Sequence, residues 1–334
     1  MNRKTWTALF LCLVFALPLS AENAASPADP LTDNIAKLKN SDPSIRRQAA
    51  EALGSLRNPQ SIEPLKGALK DKSPFVRSAA VESLGLMRAG AASKEIVELL
   101  RKDPQESVRQ SAAVALNYIG DPATVPALIE ALKDTNDGTR YAAANALGSL
   151  RAVQAVPALS ESLKDSNIGM RRSSLNALAR IEDRSALPAV RELMKDPDPA
   201  VRAEAITVCG NFGDKESEEA FKQQLVSTDK KEQLAAAGAL AKIGSKAGLK
   251  TALAAMKDKE AGIRMTAANI LGDMDSSEAL AALEKAKTDK DVGVKQVAAG
   301  ALQKLKARNP KLRAPAAAQK SQGAVNKTKT QGMK

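Results

Sequence analysis

The sequence predicts an all-α protein, folded as a right-handed α-solenoid of about nine stacked helix pairs. Three observations favour this class. A pattern recurs every 31 residues, apolar residues within each unit follow helical spacing, and prolines stand where new helices would begin. Aromatic residues make up only 2% of the 334 residues, whereas hydrophobic residues make up 44%. The core must therefore be built mainly from Ala, Leu and Val, which suits closely packed helices.

A basic residue marks the same place in each repeat. The steps between these residues are 31 positions, except for one of 32 between Arg77 and Arg109, and the uncharged Gln233 fills one slot. An aspartate stands six positions before most of them. The basic residues are Arg46, Arg77, Arg109, Arg140, Arg171, Arg202, Arg264 and Lys295, and the aspartates are Asp71, Asp103, Asp134, Asp165, Asp196, Asp258 and Asp289.

These two rows of charges, called the Arg–Asp ladder below, could serve structure or function. We predict that the aspartates accept hydrogen bonds from turn or cap N–H groups and that the arginines bridge to loop groups of an adjacent repeat. A feature present in nearly every repeat suits the stacking of repeats. The functional alternative is a row of charges that binds phosphate or acidic peptides.

The second helix of each unit, helix B, carries the clearest periodicity. A small residue lies three positions after the basic slot, and large residues, mostly apolar, lie seven and ten positions after it. In the unit of Arg140 these are Ala143, Leu147 and Leu150. Such offsets fall on one face of an α-helix. We expect the small residue to let a neighbouring helix approach closely.

A shorter apolar segment, helix A, precedes each helix B. Pro126 in VPALIEALKD (125–134) and Pro157 in VPALSESLKD (156–165) stand near its start, where the missing N–H group costs nothing. Each unit therefore reads as helix A, a short Asp-containing turn and helix B. A single pair cannot bury its apolar surface alone, whereas stacked pairs share one continuous core.

The string D-P-x-x-x-V-R-x-x-A-x-x-A-L-G is clearest in DPDPAVRAEAITVCG (196–210) and DKSPFVRSAAVESLG (71–85). With these strings the units resemble HEAT repeats, specifically the short bacterial HEAT-like class named after the phycobilisome lyases. The resemblance covers about 31–307. It implies an α-solenoid that holds partners on an extended surface. It also implies a possible enzyme, since bilin lyases and the di-iron deoxyhypusine hydroxylases use such arrays.

The N-terminal segment 1–21 reads as a secretory signal peptide. Arg3 and Lys4 precede an uncharged apolar run over 5–19, and the small residue Ala21 offers a cleavage point. That run is shorter than the roughly 20 residues that a membrane-spanning helix needs. We predict cleavage near Ala21 and a periplasmic or secreted protein, with no transmembrane segment in the mature chain.

Three further segments follow from composition. We predict a flexible stub over 22–30, the solenoid over 31–307 and a disordered basic tail over 308–334. The tail contains seven basic residues, no acidic residue and no helical period. The formal charge of +12 is therefore concentrated at the ends of the chain.

The residue inventory restricts the possible chemistry. The chain contains no His, which excludes His-based triads and His-ligated zinc or di-iron sites. Cys209 stands at a core position of helix B, so we expect an inert buried thiol. The segment 134–138 resembles a calcium loop, but Asn145 stands where an acidic ligand is required, so we interpret it as a turn. We predict no catalytic residue, no metal and no cofactor.

The candidate binding site lies on the outward side of the B helices in the third to fifth repeats. Positions one, five and nine after the basic slot should point away from the core, and both tyrosines of the chain occur there. Tyr and Arg are residue types that anchor interfaces. The candidate residues are Gln110, Tyr118, Tyr141, Asn145, Arg172, Asn176 and Arg180. Ordinary solvated surface is the alternative interpretation.

We therefore expect a non-catalytic scaffold of the cell envelope that binds another protein along its helix-B surface. One alternative is a lyase-like or oxidoreductase-type activity, which the resemblance implies but for which no His is present to hold di-iron. Another is attachment to anionic envelope surfaces through the basic tail. Nucleic acid is a less suitable partner for the tail, because the chain offers few aromatic residues for base stacking.

Overall fold

The structure is a computed structural model that describes residues 29–310. These residues form eighteen α-helices and no strand. The predicted signal peptide, most of the stub and the tail from residue 311 lie outside the described residues. The helices alternate between a short A helix and a longer B helix, so the described part of the chain contains nine consecutive pairs. The prediction of an all-α solenoid is confirmed.

The A helices are short, and most begin next to a brief 3-10 turn such as Pro122–Thr124. Pro126 and Pro157 stand in the first turn of their helices, as the sequence predicted. The A helices are α1 (Pro30–Lys37), α3 (Ile62–Ala68), α5 (Ser93–Lys102), α7 (Val125–Ala131), α9 (Val156–Ser162), α11 (Leu187–Glu192), α13 (Glu218–Gln224), α15 (Leu249–Ala255) and α17 (Ser277–Ala286).

The B helices are longer, and several begin at an Asp or Asn whose side chain accepts backbone N–H groups of the first turn. Asp198 does this for Ala200 and Val201. The B helices are α2 (Pro43–Leu56), α4 (Pro74–Leu86), α6 (Glu106–Ile119), α8 (Asp137–Ser149), α10 (Ile168–Ile181), α12 (Pro199–Asn211), α14 (Lys230–Lys242), α16 (Ala261–Asp273) and α18 (Val292–Arg308).

Successive B helices pack side by side along the array, and small residues set their spacing. A Cβ atom added at Gly85 of α4 would lie 2.8 Å from Cα of Ala115 in α6. Gly148 of α8 approaches Ala177 of α10 equally closely. Neighbouring A helices touch each other much less. Because the B helices are closer together, we infer that their row forms the inner, shorter side of the array.

The hydrophobic core follows the stack and divides once. One cluster of buried residues runs from Leu31 to Leu240, and a second runs from Leu234 to Leu305. Both draw on α14. At this junction Ala241 stands where five of the other B helices carry glycine, and α14 packs less extensively against α16 than most neighbouring B helices pack against each other. The last two repeats therefore have a core of their own.

Both ends of the predicted solenoid extend by one residue. Helix α1 already includes Pro30, which the sequence analysis assigned to the stub. Helix α18 includes Arg308, which was assigned to the tail. The guanidinium of Arg308 lies 3.2 Å from the carboxylate of Asp273 and donates to the carbonyl of Gly272 at 3.0 Å. These contacts hold the end of the helix against the preceding repeat.

Candidate functional site

The Arg–Asp ladder joins each repeat to the next. Arg171 of α10 donates from Nε and Nη2 to the two carboxylate oxygens of Asp196, at 2.7 and 2.8 Å. Its third nitrogen, Nη1, donates to the carbonyl of Asp165 at 3.0 Å. The same bidentate geometry, with distances between 2.6 and 2.9 Å, occurs in four other pairs, namely Arg46 with Asp71, Arg77 with Asp103, Arg109 with Asp134, and Arg264 with Asp289.

The structure thus identifies the carboxylate that each arginine binds. The aspartate six positions before the arginine accepts a hydrogen bond from it through its backbone carbonyl. The carboxylate that the arginine binds belongs to an aspartate of the following repeat. That carboxylate also accepts the N–H group two residues further on, as Asp71 does from Ser73 at 2.8 Å. The hydrogen bond from Arg46 lowers the pKa of Asp71 below its ordinary value of 3.8, against the opposing effect of burial.

The ladder departs from this pattern at Arg140. Its Nη2 atom lies 2.6 Å from the carboxylate of Asp137, one turn away on α8, and 3.8 Å from that of Asp165. Its buried Nε atom makes no hydrogen bond in the structure. Asp137 also accepts a hydrogen bond from Asn167 at 2.7 Å. The link between the fourth and fifth repeats is therefore a local network in place of a bidentate pair.

A second departure follows from the sequence of the seventh repeat. Ser227 stands where most other repeats carry aspartate, and Arg202 instead binds Glu232 in the first turn of α14 at 2.7 and 3.2 Å. This hydrogen bond lowers the pKa of Glu232 below its ordinary value of 4.5. The link to the eighth repeat is formed by Lys230, whose Nζ atom lies 2.6 Å from the carboxylate of Asp258.

Of the seven candidate binding residues, six are exposed. Tyr118 is 50% exposed, and its hydroxyl has no hydrogen-bond partner among the described residues. The five other exposed residues are Gln110, Asn145, Arg172, Asn176 and Arg180. They lie on α6, α8 and α10, which are consecutive B helices.

Two of the seven are already engaged within the protein. Tyr141 is half-buried, and its hydroxyl donates at 2.7 Å to the side-chain oxygen of Asn167, the residue that caps α10. Arg172 donates from Nε to Glu204 of α12 at 2.9 Å. Tyr141 therefore contributes to the contact between α8 and α10, and the charge of Arg172 is compensated by Glu204 of the following repeat.

Two further exposed apolar residues lie on the same face as the candidate residues. Leu86 of α4 is 52% exposed and Val114 of α6 is 37% exposed. Leu86 holds the same position in its repeat as Tyr118, and Val114 lies one helical turn before Tyr118. Both residues stand at outward-pointing positions of their repeats, and this spacing is the sequence signal that could have identified them. The name B-face patch is used below for Leu86, Gln110, Val114, Tyr118, Asn145, Asn176 and Arg180.

The chemistry of the remaining candidates is limited. Cys209 is buried, and burial raises the pKa of its thiol to about 12. Within residues 29–310, no three Cys, Asp or Glu side chains are grouped so that they could hold a metal ion. None of the helices described is both long and apolar enough to cross a membrane.

The repeats match a known protein family. The sequence model for HEAT repeats matches residues 31–117, 93–174, 163–225 and 218–303. The chain belongs to the HEAT-repeat family. Its resemblance to HEAT repeats is thereby confirmed over almost the whole predicted solenoid. At a coarse level the HEAT-repeat fold supports a role in protein interaction, because such stacks present long continuous binding surfaces.

Solved structures with a similar fold have low sequence identity to this HEAT-repeat chain. An engineered protein is 22% identical, with 83% of this chain and 89% of that chain covered and a TM-score of 0.49. The CpcE–CpcF complex of phycocyanin lyase from Nostoc sp. PCC7120 is 22% identical, with coverage of 86% and 98% and a TM-score of 0.39. YibA from E. coli is 17% identical, with coverage of 82% and 92% and a TM-score of 0.51. A search of curated protein sequences finds no match.

Proposed function

We propose that this HEAT-repeat chain is a non-catalytic scaffold of the cell envelope that binds another protein through the B-face patch. The observation that carries the proposal is the exposure of Tyr118 beside Leu86 and Val114 on a row of tightly packed helices. Exposed apolar and aromatic side chains on a rigid surface are the usual anchors of protein interfaces. Membership of the envelope rests on the predicted signal peptide.

The polar part of the patch supports the same role. Gln110, Asn145, Asn176 and Arg180 are exposed on α6, α8 and α10, so they continue the patch along the array from the apolar residues on α4 and α6. Amide and guanidinium groups can donate hydrogen bonds to a partner at the rim of an apolar contact. Because the B helices are held by close backbone contacts, the patch needs little ordering before it binds, which lowers the entropic cost of association.

Site-specific photo-crosslinking in the native cells tests this surface. We expect a crosslinker placed at Tyr118 to capture a defined protein that a crosslinker at Phe75 does not. Phe75 is a matched control, because it is 73% exposed but lies at the opposite end of α4 from Leu86. Capture of the same proteins from both positions, or of none from Tyr118, would contradict the assignment.

A double substitution distinguishes a loss of binding from a loss of folding. Leu86→Ser combined with Tyr118→Ala should abolish the crosslinked product formed from position 145, while the melting temperature changes little because both side chains are exposed.

Mass spectrometry of the N terminus tests the envelope location separately. We expect the mature chain to begin directly after Ala21, and an intact N terminus in purified native protein would argue against export.

A further inference from the structure

A groove lies on the opposite side of the array, between the A helices of the last two repeats. It encloses about 730 Å³ between α15 and α17. Leu249 and Leu253 of α15 line it together with Met256 directly after that helix, and Ala282 and Ala286 line it from α17. The leucines and the methionine are only partly buried, so the groove has an apolar floor that the chain itself leaves uncovered.

At one other junction between A helices an ion pair spans the corresponding gap, and the groove between α15 and α17 lacks such a pair among the described residues. Between α5 and α7, Arg101 donates to Glu130 at 2.7 and 2.9 Å and spans the gap, and the space there is about 290 Å³. Counted from the ladder aspartates, Met256 holds the position of Arg101 and Lys285 holds that of Glu130. Within the described chain no ion pair joins α15 to α17.

The rim of the groove is positively charged. Lys250, Lys257 and Lys285 are exposed, and none of them forms an ion pair with another described residue. Of the two carboxylates at the groove, that of Asp289 accepts hydrogen bonds from Nε and Nη2 of Arg264 at 2.9 and 2.8 Å. The groove therefore combines apolar surface with three cations whose charge is not matched locally.

The second carboxylate, Glu278, stands at one end of α17 and accepts hydrogen bonds from Ser276 and Ser277. These bonds lower its pKa below the ordinary value of 4.5, so it stays charged at neutral pH. Lys250 is the second residue of α15 as Glu278 is of α17, whereas Lys257 and Lys285 lie at the C-terminal ends of these helices.

We propose that this groove binds an acidic amphipathic helix of a partner protein, at a site separate from the B-face patch. A helix that lays its apolar side between two others follows the packing already present in the array. Acidic residues flanking that apolar side would meet the lysines at the rim. The chain's own basic tail is unsuitable as the occupant, because 311–334 carries six basic residues and no acidic one.

Fluorescence anisotropy on the full chain tests the proposal. The probe is a labelled synthetic helix of about 18 residues, with leucines on one face and glutamates on the flanks, so that it exceeds the length of α15. The test variant combines Met256→Arg with Lys285→Glu, which installs the Arg101–Glu130 arrangement in the groove. The control variant Lys133→Gln changes the net charge by the same amount, −1, at an exposed lysine of the small groove.

We expect the double variant to bind the probe at least about five-fold more weakly than the wild type, and the control to bind within about two-fold of it. We also expect a scrambled peptide of the same composition to bind weakly to all three proteins. Equal binding of wild type and double variant would overturn the proposal, as would equal binding of the scrambled peptide, which would show attraction by charge alone. If the double variant instead loses only sedimentation with anionic vesicles, the groove recognises lipid and the proposal is wrong. Circular dichroism establishes that each variant is folded.

Discussion

Arg171 and Asp196 are 25 residues apart in sequence but form a buried bidentate ion pair that joins the fifth repeat to the sixth. The pair also organises the loops on both sides, because Arg171 binds the carbonyl of Asp165 and Asp196 accepts the N–H group of Asp198. Five junctions of the array use this arrangement. It therefore links the stacked repeats in a way that no single repeat could.

Removing one member of this pair should destabilise the array strongly. Arg171→Leu leaves the carboxylate of Asp196 buried without its cation, and we expect the free energy of unfolding to fall by about 3 kcal/mol or more. Arg180→Leu on the same helix is the control, and it should change stability by less than about 0.5 kcal/mol because Arg180 is exposed. Urea denaturation measures both. A double variant that also carries Asp196→Leu should recover part of the loss, and equal losses for Arg171→Leu and Arg180→Leu would contradict this role.

Acid should weaken the repeat junctions. The pKa values of Asp71 and Glu232 are lowered by Arg46 and Arg202, so folding favours their ionised forms. A group with a lowered pKa contributes its stability above its unfolded-state pKa and loses that contribution as the pH falls through the folded-state value. We expect the melting temperature to fall from about pH 4.5 downwards. The fall should be shallower in Arg46→Gln, and parallel curves for the two proteins would contradict the assignment.

The close approach of the B helices gives opposite predictions for two glycines. In Gly85→Ala the new methyl group would meet Cα and Cβ of Ala115 at 2.8 Å, so we expect a loss of about 1–3 kcal/mol of stability. Gly300 of α18 has no neighbouring atom within 4 Å of an added Cβ. Gly300→Ala should therefore raise stability by about 0.5–1 kcal/mol, since alanine favours the helix. Thermal denaturation checks both, and effects of the same sign would show that helix spacing does not depend on Gly85.

The two tyrosines should respond differently to loss of the hydroxyl group. Tyr141→Phe removes the hydrogen bond to Asn167, and we expect a loss of about 1 kcal/mol of stability. Tyr118→Phe should leave stability unchanged within about 0.5 kcal/mol, because the exposed hydroxyl has no partner among the described residues. Parallel urea denaturation of the two variants measures the difference. A loss of equal size in both would place Tyr118 in the structural network as well.

Much of the fold could be read from the sequence because the information is local and repeated. The 31-residue period, the helical offsets within helix B and the prolines in the first turns of α7 and α9 each concern residues that are close in the chain. The same offsets predicted which side chains point outwards, and six of the seven candidate residues are exposed. Nine repetitions of one pattern make such an inference far stronger than any single segment would.

The partners of those side chains depended on the stacking of the repeats. Tyr141 faces outwards by its offset, but its hydroxyl reaches Asn167 because α8 and α10 are in contact along their length. Glu232 replaces an aspartate as the partner of Arg202, and Met256 and Lys285 both line the groove between α15 and α17. The sequence by itself determined the helices, their order and their outward faces. Only the tertiary structure shows which charges form ion pairs and which surfaces stay open. Both depend on distances between side chains that are about one repeat apart in the sequence.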